Sequence, residues 1–278
     1  MSDWYVSTDW LAANLQSPDV IVIDASWHLP SAKRDPKAEY LASHIPGAVF
    51  FDIDAISDQS TDLPHMLPRP EDFARMVGAL GISEDKTLVI YDEVGFQTAP
   101  RVWWELTTMG ARDVRILVGG GPKWRAENRP LETGETRRPP ATFKPDFHAE
   151  RVVDFATVQA HSKARDMQIA DARAAGRFAG TDAEPRPGLR SGHMPGAVNV
   201  PVSSLSANGV VKSPEELRAL FAAAGLDLDR PIITSCGSGV TACALSMALQ
   251  RAGAKSVAVY DGSWTEWGGR PEAEVVKG

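Results

Sequence analysis

Short hydrophobic stretches alternate with helix-like segments along this chain of 278 residues. In its second half, β-branched and apolar residues predict strands at Gln168–Ala170, Ala197–Val200, Ile232–Ser235 and Val257–Tyr260. The segments Pro214–Ala224 and Val240–Arg251 between them have helical spacing, and Ser213 is expected to cap the first of these helices. Strands that alternate with helices of this length predict a mostly parallel sheet covered by helices.

The same pattern occurs twice, at an offset of about 147 residues. The matching pairs of segments are VIDAS at 22–26 with IADAR at 169–173, SHIPGAVFFDI at 43–53 with GHMPGAVNVPV at 192–202, and TLVIYD at 87–92 with PIITSC at 231–236. We therefore expect two tandem copies of one α/β domain, residues 1–137 and 151–278. A linker rich in proline and charge is expected to join them at 138–150.

The duplication provides an internal control on individual residues. His44 and His193 occupy the same position in both copies, which favours a structural role for them in the adjacent Pro-Gly turns. The run Gly119–Gly121 lacks the spacing of a nucleotide-binding fingerprint and is interpreted as a turn. Only the second copy has a cysteine after the central strand, at Cys236, where the first copy has Asp92.

Cys236 is the strongest candidate for a catalytic residue. It follows a buried strand, and Gly237, Ser238 and Gly239 separate it from a helix that begins near Val240. Glycines allow the backbone to curl so that several N–H groups point to one place, and the helix N-terminus adds the positive end of its dipole. Such a setting favours the thiolate, which is the nucleophilic form of cysteine.

Composition excludes some other classes of function. The formal charge of −7 argues against a general nucleic-acid-binding protein, and no apolar segment approaches the length of a membrane span. Cys236 and Cys243, the only cysteines, lie too far apart along one helix for a disulfide and are too few for a zinc site. Cys243 is expected in the core. Free thiols and the absence of a signal-peptide pattern at the N-terminus predict a cytoplasmic protein.

The duplicated domain, the CGSGVT loop, the HMPGA turn and the YDGSWTEW ending together resemble tandem-domain rhodanese-like sulfurtransferases. The resemblance covers nearly the whole chain, and the loop is most similar to that of the 3-mercaptopyruvate sulfurtransferase branch. It implies two rhodanese-like domains and an enzyme in which the Cys236 thiolate takes sulfur from a donor, becomes a persulfide and passes the sulfur to a second thiol. Because a carboxylate cannot carry sulfur this way, the copy with Asp92 is expected to be inert in the transfer.

The residues after the cysteine indicate the donor. Family members that use thiosulfate have Arg and Lys there, whereas Gly237 and Ser238 are neutral and suit mercaptopyruvate, whose leaving group is the enolate of pyruvate. The Ser238 hydroxyl is expected to protonate or hydrogen-bond this enolate. The resemblance implies a Ser–His–Asp relay, to which FFDIDAISDQSTDLPHMLP would contribute Asp54 and His65.

The resemblance also implies how the donor carboxylate is bound. The pattern GRF-x-GT followed by EPR-x-G matches Arg177 and Arg186, whereas Arg173 has no match and is expected to be structural. Trp264 and Trp267 could line the pocket, but aromatic residues near the C-terminus more often belong to the core. The other residues expected to surround the donor are those of the cysteine loop: Gly237, Gly239, Val240 and Thr241.

Three other functions share parts of this pattern. A thiosulfate sulfurtransferase is the second choice, and a non-catalytic rhodanese-like binding protein is the alternative from another class. A phosphatase of the Cys-x5-Arg type is excluded, because Ala242 stands where the arginine is needed. The sulfur acceptor is expected to be a thiol such as thioredoxin or a small thiol, with cyanide as a further possibility. No metal, organic cofactor, nucleic acid or membrane is expected to take part.

Overall fold

A computed structural model describes residues 4–278, and these fall into two compact units. Unit 1 takes in the chain up to Gln59, then Leu67–His148 and Asn208–Val210. Unit 2 takes in Ser60–Met66, Ala149–Ala207 and Val211–Gly278. The short segment Ser60–Met66 therefore packs with the second copy, although it lies within the first copy in sequence.

Unit 1 contains a five-stranded sheet in the order β1-β5-β4-β2-β3, in which all neighbouring strands are parallel. The strands are β1 (Tyr5–Val6), β2 (Val20–Asp24), β3 (Val49–Phe50), β4 (Thr87–Tyr91) and β5 (Asp113–Leu117). The helices that flank the sheet are α1 (Thr8–Asn14), α2 (Pro36–Ala42), α3 (Pro70–Ala79), α4 (Ala99–Thr108) and α5 (Gly120–Ala126). Strand β2 is buried along its whole length, as expected of a strand covered on both faces.

Unit 2 repeats this architecture, with a five-stranded parallel sheet in the order β6-β12-β11-β7-β8. The strands of this sheet are β6 (Val152–Val153), β7 (Gln168–Asp171), β8 (Ala197–Asn199), β11 (Ile232–Ser235) and β12 (Val257–Tyr260). A two-stranded ribbon of β9 (Ser206–Ala207) and β10 (Val210–Val211) lies outside both five-stranded sheets. The helices of unit 2 are α6 (Phe155–Ala164), α7 (Ala175–Ala179), α8 (Pro214–Ala223), α9 (Val240–Ala252) and α10 (Ser263–Gly269). The two strand orders correspond strand by strand, so the predicted duplicated α/β fold is confirmed.

The predicted boundaries in the second copy agree with the structure to within a residue. The Ser213 cap is also confirmed, and it is a full capping box. The Ser213 hydroxyl accepts a hydrogen bond from the Glu216 N–H at 3.2 Å, and the Glu216 carboxylate accepts one from the Ser213 N–H at 2.8 Å. This reciprocal pair fixes where α8 begins.

The run Gly119–Gly121 is not the turn that the sequence predicts. Gly119 lies in the left-handed region with φ +79°, but Gly120 and Gly121 already belong to the first turn of α5. Close packing explains the small residues. A Cβ on Gly120 would lie 2.5 Å from the carbonyl oxygen of Asp92, so in this copy the glycine lets α5 come close to the loop after β4.

His44 and His193 have equivalent structural roles, as the duplication predicts. The His44 ring is stacked on Tyr40 with ring centroids 4.1 Å apart, and its Nδ1 lies 2.8 Å from the Tyr40 carbonyl oxygen. The His193 ring is stacked on Phe178 at 3.9 Å, and its Nδ1 lies 2.9 Å from the Phe178 carbonyl oxygen. Each imidazole thus joins the Pro-Gly turn of its copy to a neighbouring segment.

The segment 138–148 forms no helix or strand and packs against unit 1. The Ala141 N–H donates to the Gly78 carbonyl at 2.9 Å, and Phe143 packs edge-on against Phe73. Among residues 4–278, no helix is long and apolar enough to span a bilayer.

Candidate active site

Cys236 lies at the carboxyl end of β11, at the edge of the sheet where α/β proteins bind ligands. Strand β11 is buried throughout, and Cys236 itself is only 2% exposed. The chain then turns through Gly237, Ser238 and Gly239 into α9, with Gly239 at φ +83°. The predicted succession of buried strand, glycine loop and helix is therefore present.

The corresponding loop of unit 1 shows what this backbone shape does. The Asp92 carboxylate accepts hydrogen bonds from five backbone N–H groups. They belong to Val94 (3.1 Å), Gly95, Gln97 (3.0 Å), Thr98 (2.8 Å) and Ala99 (2.9 Å). The loop after the central strand is thus a nest for one anion, and in unit 1 a side chain of the same copy fills it.

In unit 2, Cys236 occupies the position that Asp92 has in unit 1. The N–H groups of Gly237, Ser238 and Gly239 make no hydrogen bonds to other groups within residues 4–278. They are therefore available to stabilise negative charge on the Cys236 sulfur or on a group bonded to it.

Ser238 is paired with His65. The Nδ1 atom of His65 lies 3.0 Å from the Ser238 hydroxyl oxygen and 3.3 Å from the Ser238 carbonyl oxygen. Both side chains are buried, and His65 adopts φ +63°, an uncommon conformation for a residue with a Cβ. A protonated Nδ1 donates to both oxygens, and an unprotonated Nδ1 accepts from the hydroxyl, so this contact can transmit a proton to or from Ser238.

Asp54 lies in unit 1, in an exposed turn after β3. Its carboxylate accepts a hydrogen bond from the Trp27 indole N–H at 3.0 Å, and its own N–H donates to the Asp52 carboxylate at 3.1 Å. The first contact holds the Asp54 carboxylate at Trp27, and the second involves only the backbone of Asp54. Its membership of a relay with His65 stays a prediction.

Arg177 lies directly beside the cysteine loop. A Cβ on Gly237 would come 3.0 Å from its Nη2 atom, so the glycine provides the space that the guanidinium occupies. Glu184, whose side chain is 2% exposed, forms an ion pair with Arg177 at 2.5 Å. Arg186 is half-buried in the loop between α7 and β8, and its role in binding stays a prediction.

Arg173 is structural, as its lack of a family match predicts. Its guanidinium pairs with Asp171 at 2.8 Å and with Glu184 at 2.9 Å, and it stacks 4.0 Å above the Trp264 ring. Burial raises the pKa of the Asp171 carboxyl, and the Arg173 guanidinium opposes that rise. Because Glu184 pairs with both arginines, this buried cluster also orients Arg177 at the loop.

The remaining predicted residues divide between loop and core. Val240 is the first residue of α9, and Thr241 follows it half-buried. Trp264 and Trp267 belong to the hydrophobic core of unit 2. Cys243 is buried in α9, where its thiol donates to the Gly239 carbonyl at 3.2 Å. Within residues 4–278, His, Cys, Asp and Glu side chains form no group of three or more that could hold a metal ion.

Sequence reasoning missed three residues that contact the site. Glu184 is one, and the others are Ser263 and Thr265, whose hydroxyls bond to the backbone of Cys236 and Gly237. The duplication carried a signal for the last two. Counting from the first residue of α10 and of α5, Ser263 corresponds to Gly120 and Thr265 to Pro122, so both hydroxyls occur only in the copy that has the cysteine.

Comparison with known proteins agrees with this architecture. A family model described as the rhodanese-like domain matches residues 7–127 and 154–270. The chain is 46% identical to the 3-mercaptopyruvate sulfurtransferase of Escherichia coli strain K12, over 98% of this chain and 97% of that protein. It is 42% identical to the thiosulfate sulfurtransferase of Bos taurus, over 98% and 95% of the two chains.

A solved structure shows the same fold. The crystal structure of SseA from Escherichia coli, described with the catalytic mechanism of 3-mercaptopyruvate sulfotransferases, superposes with a TM-score of 0.88 at 45% identity. The alignment covers 95% of this chain and 99% of that one. The resemblance predicted from the cysteine loop and the duplication is thus confirmed, and the chain belongs to the family of proteins with rhodanese-like domains, of which it has two in tandem.

Proposed function

We propose that this protein is a sulfurtransferase that takes sulfur from 3-mercaptopyruvate and passes it to a thiol through a persulfide on Cys236. The observation that carries the proposal is the buried Ser238–His65 pair, two residues from the cysteine in a loop without cationic side chains. A hydroxyl with a proton supply suits a leaving group that must be protonated.

The first half-reaction follows from this geometry. The Cys236 thiolate attacks the sulfur of mercaptopyruvate, a sulfur–sulfur bond forms, and the carbon–sulfur bond breaks. Its electron pair goes to the departing fragment, which is the enolate of pyruvate. Ser238 stabilises or protonates this enolate, and His65 returns a proton to Ser238. The products are pyruvate and a Cys236 persulfide.

The second half-reaction regenerates the thiolate. The acceptor attacks the outer sulfur of the persulfide, and the Cys236 sulfur leaves with the electron pair of the sulfur–sulfur bond. A dithiol such as thioredoxin can then form its own disulfide and release hydrogen sulfide, whereas cyanide would leave as thiocyanate. Thioredoxin is the acceptor we favour, and a small thiol is the alternative. The cytoplasm, where thiols stay reduced, is the compartment that suits this chemistry.

Arg177 supports a donor with a carboxylate. Its planar fork can bind two carboxylate oxygens, and Glu184 holds the guanidinium beside Gly237. We propose that Arg177 and Arg186 bind the donor carboxylate, and that Gly237, Gly239, Val240 and Thr241 surround the transferred sulfur. Asp54 is proposed to assist His65. Residues 1–137, with Asp92 in the nest, are proposed to be a non-catalytic copy, joined by a linker at 138–150 to the catalytic copy, 151–278.

The decisive experiment is a paired assay of the purified protein with mercaptopyruvate and with thiosulfate, each with a reducing thiol acceptor. Intact mass is recorded after donor alone, with Cys236→Ser in parallel. We expect pyruvate release, a mass gain of about one sulfur on the wild type only, and an inactive variant. A marked preference for thiosulfate would move the assignment to a thiosulfate sulfurtransferase. No turnover and no persulfide with either donor would leave a binding protein.

A further inference from the structure

The first residues of α10 hold the backbone of the cysteine loop through four hydrogen bonds. The Ser263 hydroxyl oxygen accepts a hydrogen bond from the Cys236 N–H at 3.1 Å and donates to the Tyr260 carbonyl at 2.8 Å. The Trp264 N–H donates to the Cys236 carbonyl at 2.9 Å. Thr265 donates to the Gly237 carbonyl twice, from its N–H at 2.8 Å and from its hydroxyl at 2.6 Å.

These contacts fix three successive peptide planes around the sulfur-bearing residue. In a trans peptide the N–H points opposite to the C=O of the same plane. Because the carbonyls of Cys236 and Gly237 are both turned towards α10, the N–H groups of Gly237 and Ser238 are turned away from it. The contacts from α10 therefore set the direction of the amides that would stabilise an anion at the loop.

Ser263 has a backbone conformation that is unfavourable for a residue with a Cβ. Its φ is +48°, and the side chain is fully buried. The equivalent residue of the first copy, Gly120, has φ +57°, which glycine adopts without strain. A serine held in this conformation indicates that its hydroxyl provides something that a glycine cannot.

The first copy shows that the fold does not need either hydroxyl. There the Gly121 N–H donates to the Asp92 carbonyl at 3.1 Å, as the Trp264 N–H does to Cys236. Gly120 has no hydroxyl, and Pro122, at the position of Thr265, has neither a hydroxyl nor an N–H. The contact common to both copies belongs to the fold, and the added hydroxyl contacts occur only beside the cysteine.

We propose that Ser263 and Thr265 are positioning residues for the sulfur transfer. They act through the backbone of Cys236 and Gly237, holding the thiolate and the loop amides in the orientation that stabilises charge on the sulfur. The proposal rests on the proposed function for its effect on turnover. Its effect on the reactivity of the Cys236 thiol does not depend on the identity of the donor.

The test uses the full chain with Ser263→Gly, which reproduces the first copy, and Thr265→Val, which keeps the shape but removes the hydroxyl. Thr265→Ser is the conservative variant that restores the hydroxyl. Ser162→Ala is the matched control, because Ser162 is also buried in unit 2 and donates to a backbone carbonyl, that of Pro195 at 2.9 Å. For each protein we would measure the rate of Cys236 alkylation by iodoacetamide, and kcat and KM with mercaptopyruvate.

We expect Ser263→Gly and Thr265→Val to lower both the alkylation rate and kcat about fivefold to tenfold, the effect of one lost hydrogen bond, with KM within about twofold. Thr265→Ser and Ser162→Ala should match the wild type. Wild-type rates in Ser263→Gly and Thr265→Val would overturn the proposal, as would a loss that Thr265→Ser fails to rescue. If even the wild type does not turn over mercaptopyruvate, the proposed function fails, and the alkylation rates still decide the role of the two hydroxyls.

Discussion

The Nδ1 atom of His65 lies 3.0 Å from the hydroxyl oxygen of Ser238, although 173 residues separate the two along the chain. Both side chains are buried, and His65 belongs to the segment Ser60–Met66 that packs into unit 2. If Ser238 is catalytic, this contact carries a proton between the imidazole and the hydroxyl. If it is not, the contact only packs the two side chains, and replacing either residue should leave kcat unchanged.

Replacing Ser238 with alanine should slow the step that releases pyruvate. We expect kcat with mercaptopyruvate to fall about 10²-fold to 10³-fold, because the enolate loses its proton donor. Stopped-flow measurement of pyruvate release, with the persulfide followed by intact mass, would report this step directly. Alkylation of Cys236 should change little, since Ser238→Ala keeps the loop backbone. Unchanged pyruvate release would contradict the role given to the hydroxyl.

Replacing His65 requires a residue that tolerates φ +63°. Asparagine populates this region more readily than other non-glycine residues, so His65→Asn removes the imidazole with little added strain. We expect kcat to fall by at least about tenfold, with a thermal midpoint close to that of the wild type. The control is His193→Asn, whose imidazole is stacked on Phe178 and hydrogen-bonded to the Phe178 carbonyl oxygen; this variant should lower the thermal midpoint more than kcat. A His65→Asn variant with a lower thermal midpoint and an unchanged kcat would show that His65 is structural.

Adding a methyl group at Gly237 should displace Arg177. The new Cβ would lie 3.0 Å from the Arg177 Nη2 atom, closer than most real Cβ contacts, so the guanidinium must shift. If Arg177 binds the donor carboxylate, Gly237→Ala should raise KM for mercaptopyruvate severalfold or more, since a bidentate contact tolerates little displacement. Gly269→Ala is the matched control, because its Cβ would make only an ordinary contact, 3.6 Å from Leu189. Equal KM values for mercaptopyruvate in the two variants would show that Arg177 does not bind the donor carboxylate.

Neutralising Asp92 should destabilise unit 1. Its carboxylate accepts five backbone hydrogen bonds, and an amide in its place has a single acceptor oxygen and an NH₂ group directed at N–H donors. We expect Asp92→Asn to lower the free energy of unfolding by about 2–4 kcal/mol, the range for losing charge-assisted hydrogen bonds at a buried site. Urea unfolding would measure the change. A loss under about 0.5 kcal/mol would show that the nest contributes little to stability.

The buried carboxyl of Asp24 makes stability depend on pH. Burial raises the pKa of Asp24, although hydrogen bonds from Ser26 and Tyr91 oppose the rise. A carboxyl whose pKa is higher in the folded state stabilises it below the unfolded pKa of about 3.9, and this contribution is lost as the pH rises through the folded pKa. Relative to the wild type, Asp24→Asn should therefore become more stable as the pH rises above about 4. A difference in unfolding free energy that stays constant with pH would contradict this.

The sequence revealed those parts of the site that are close together along the chain. Strand β11, the glycines and α9 are contiguous, so local pattern alone predicted an anion-stabilising loop at Cys236. The pairing of His65 with Ser238 joins distant segments, and only the family resemblance indicated it. Periodicity cannot predict such a contact, because the segment Ser60–Met66 contains neither a helix nor a strand.

Other residues escaped prediction because their types are common on any surface. Glu184 lies between Pro185 and an exposed turn, and nothing local indicates that its carboxylate is buried between two arginines. Ser263 and Thr265 look like ordinary residues at the start of a helix. Their contacts arise because β12 directs α10 against the loop after β11, an arrangement that depends on the complete sheet.

The occupied nest at Asp92 has a consequence for dissolved anions. Two loops of the same design would give a chain with two equivalent sites for small oxyanions such as sulfate or phosphate. The Asp92 carboxylate already accepts hydrogen bonds from the amide groups of one loop and would repel any anion that approached it. We therefore expect at most one such anion to bind per chain, in competition with the sulfur donor, because the loop still open to it is the one that carries Cys236.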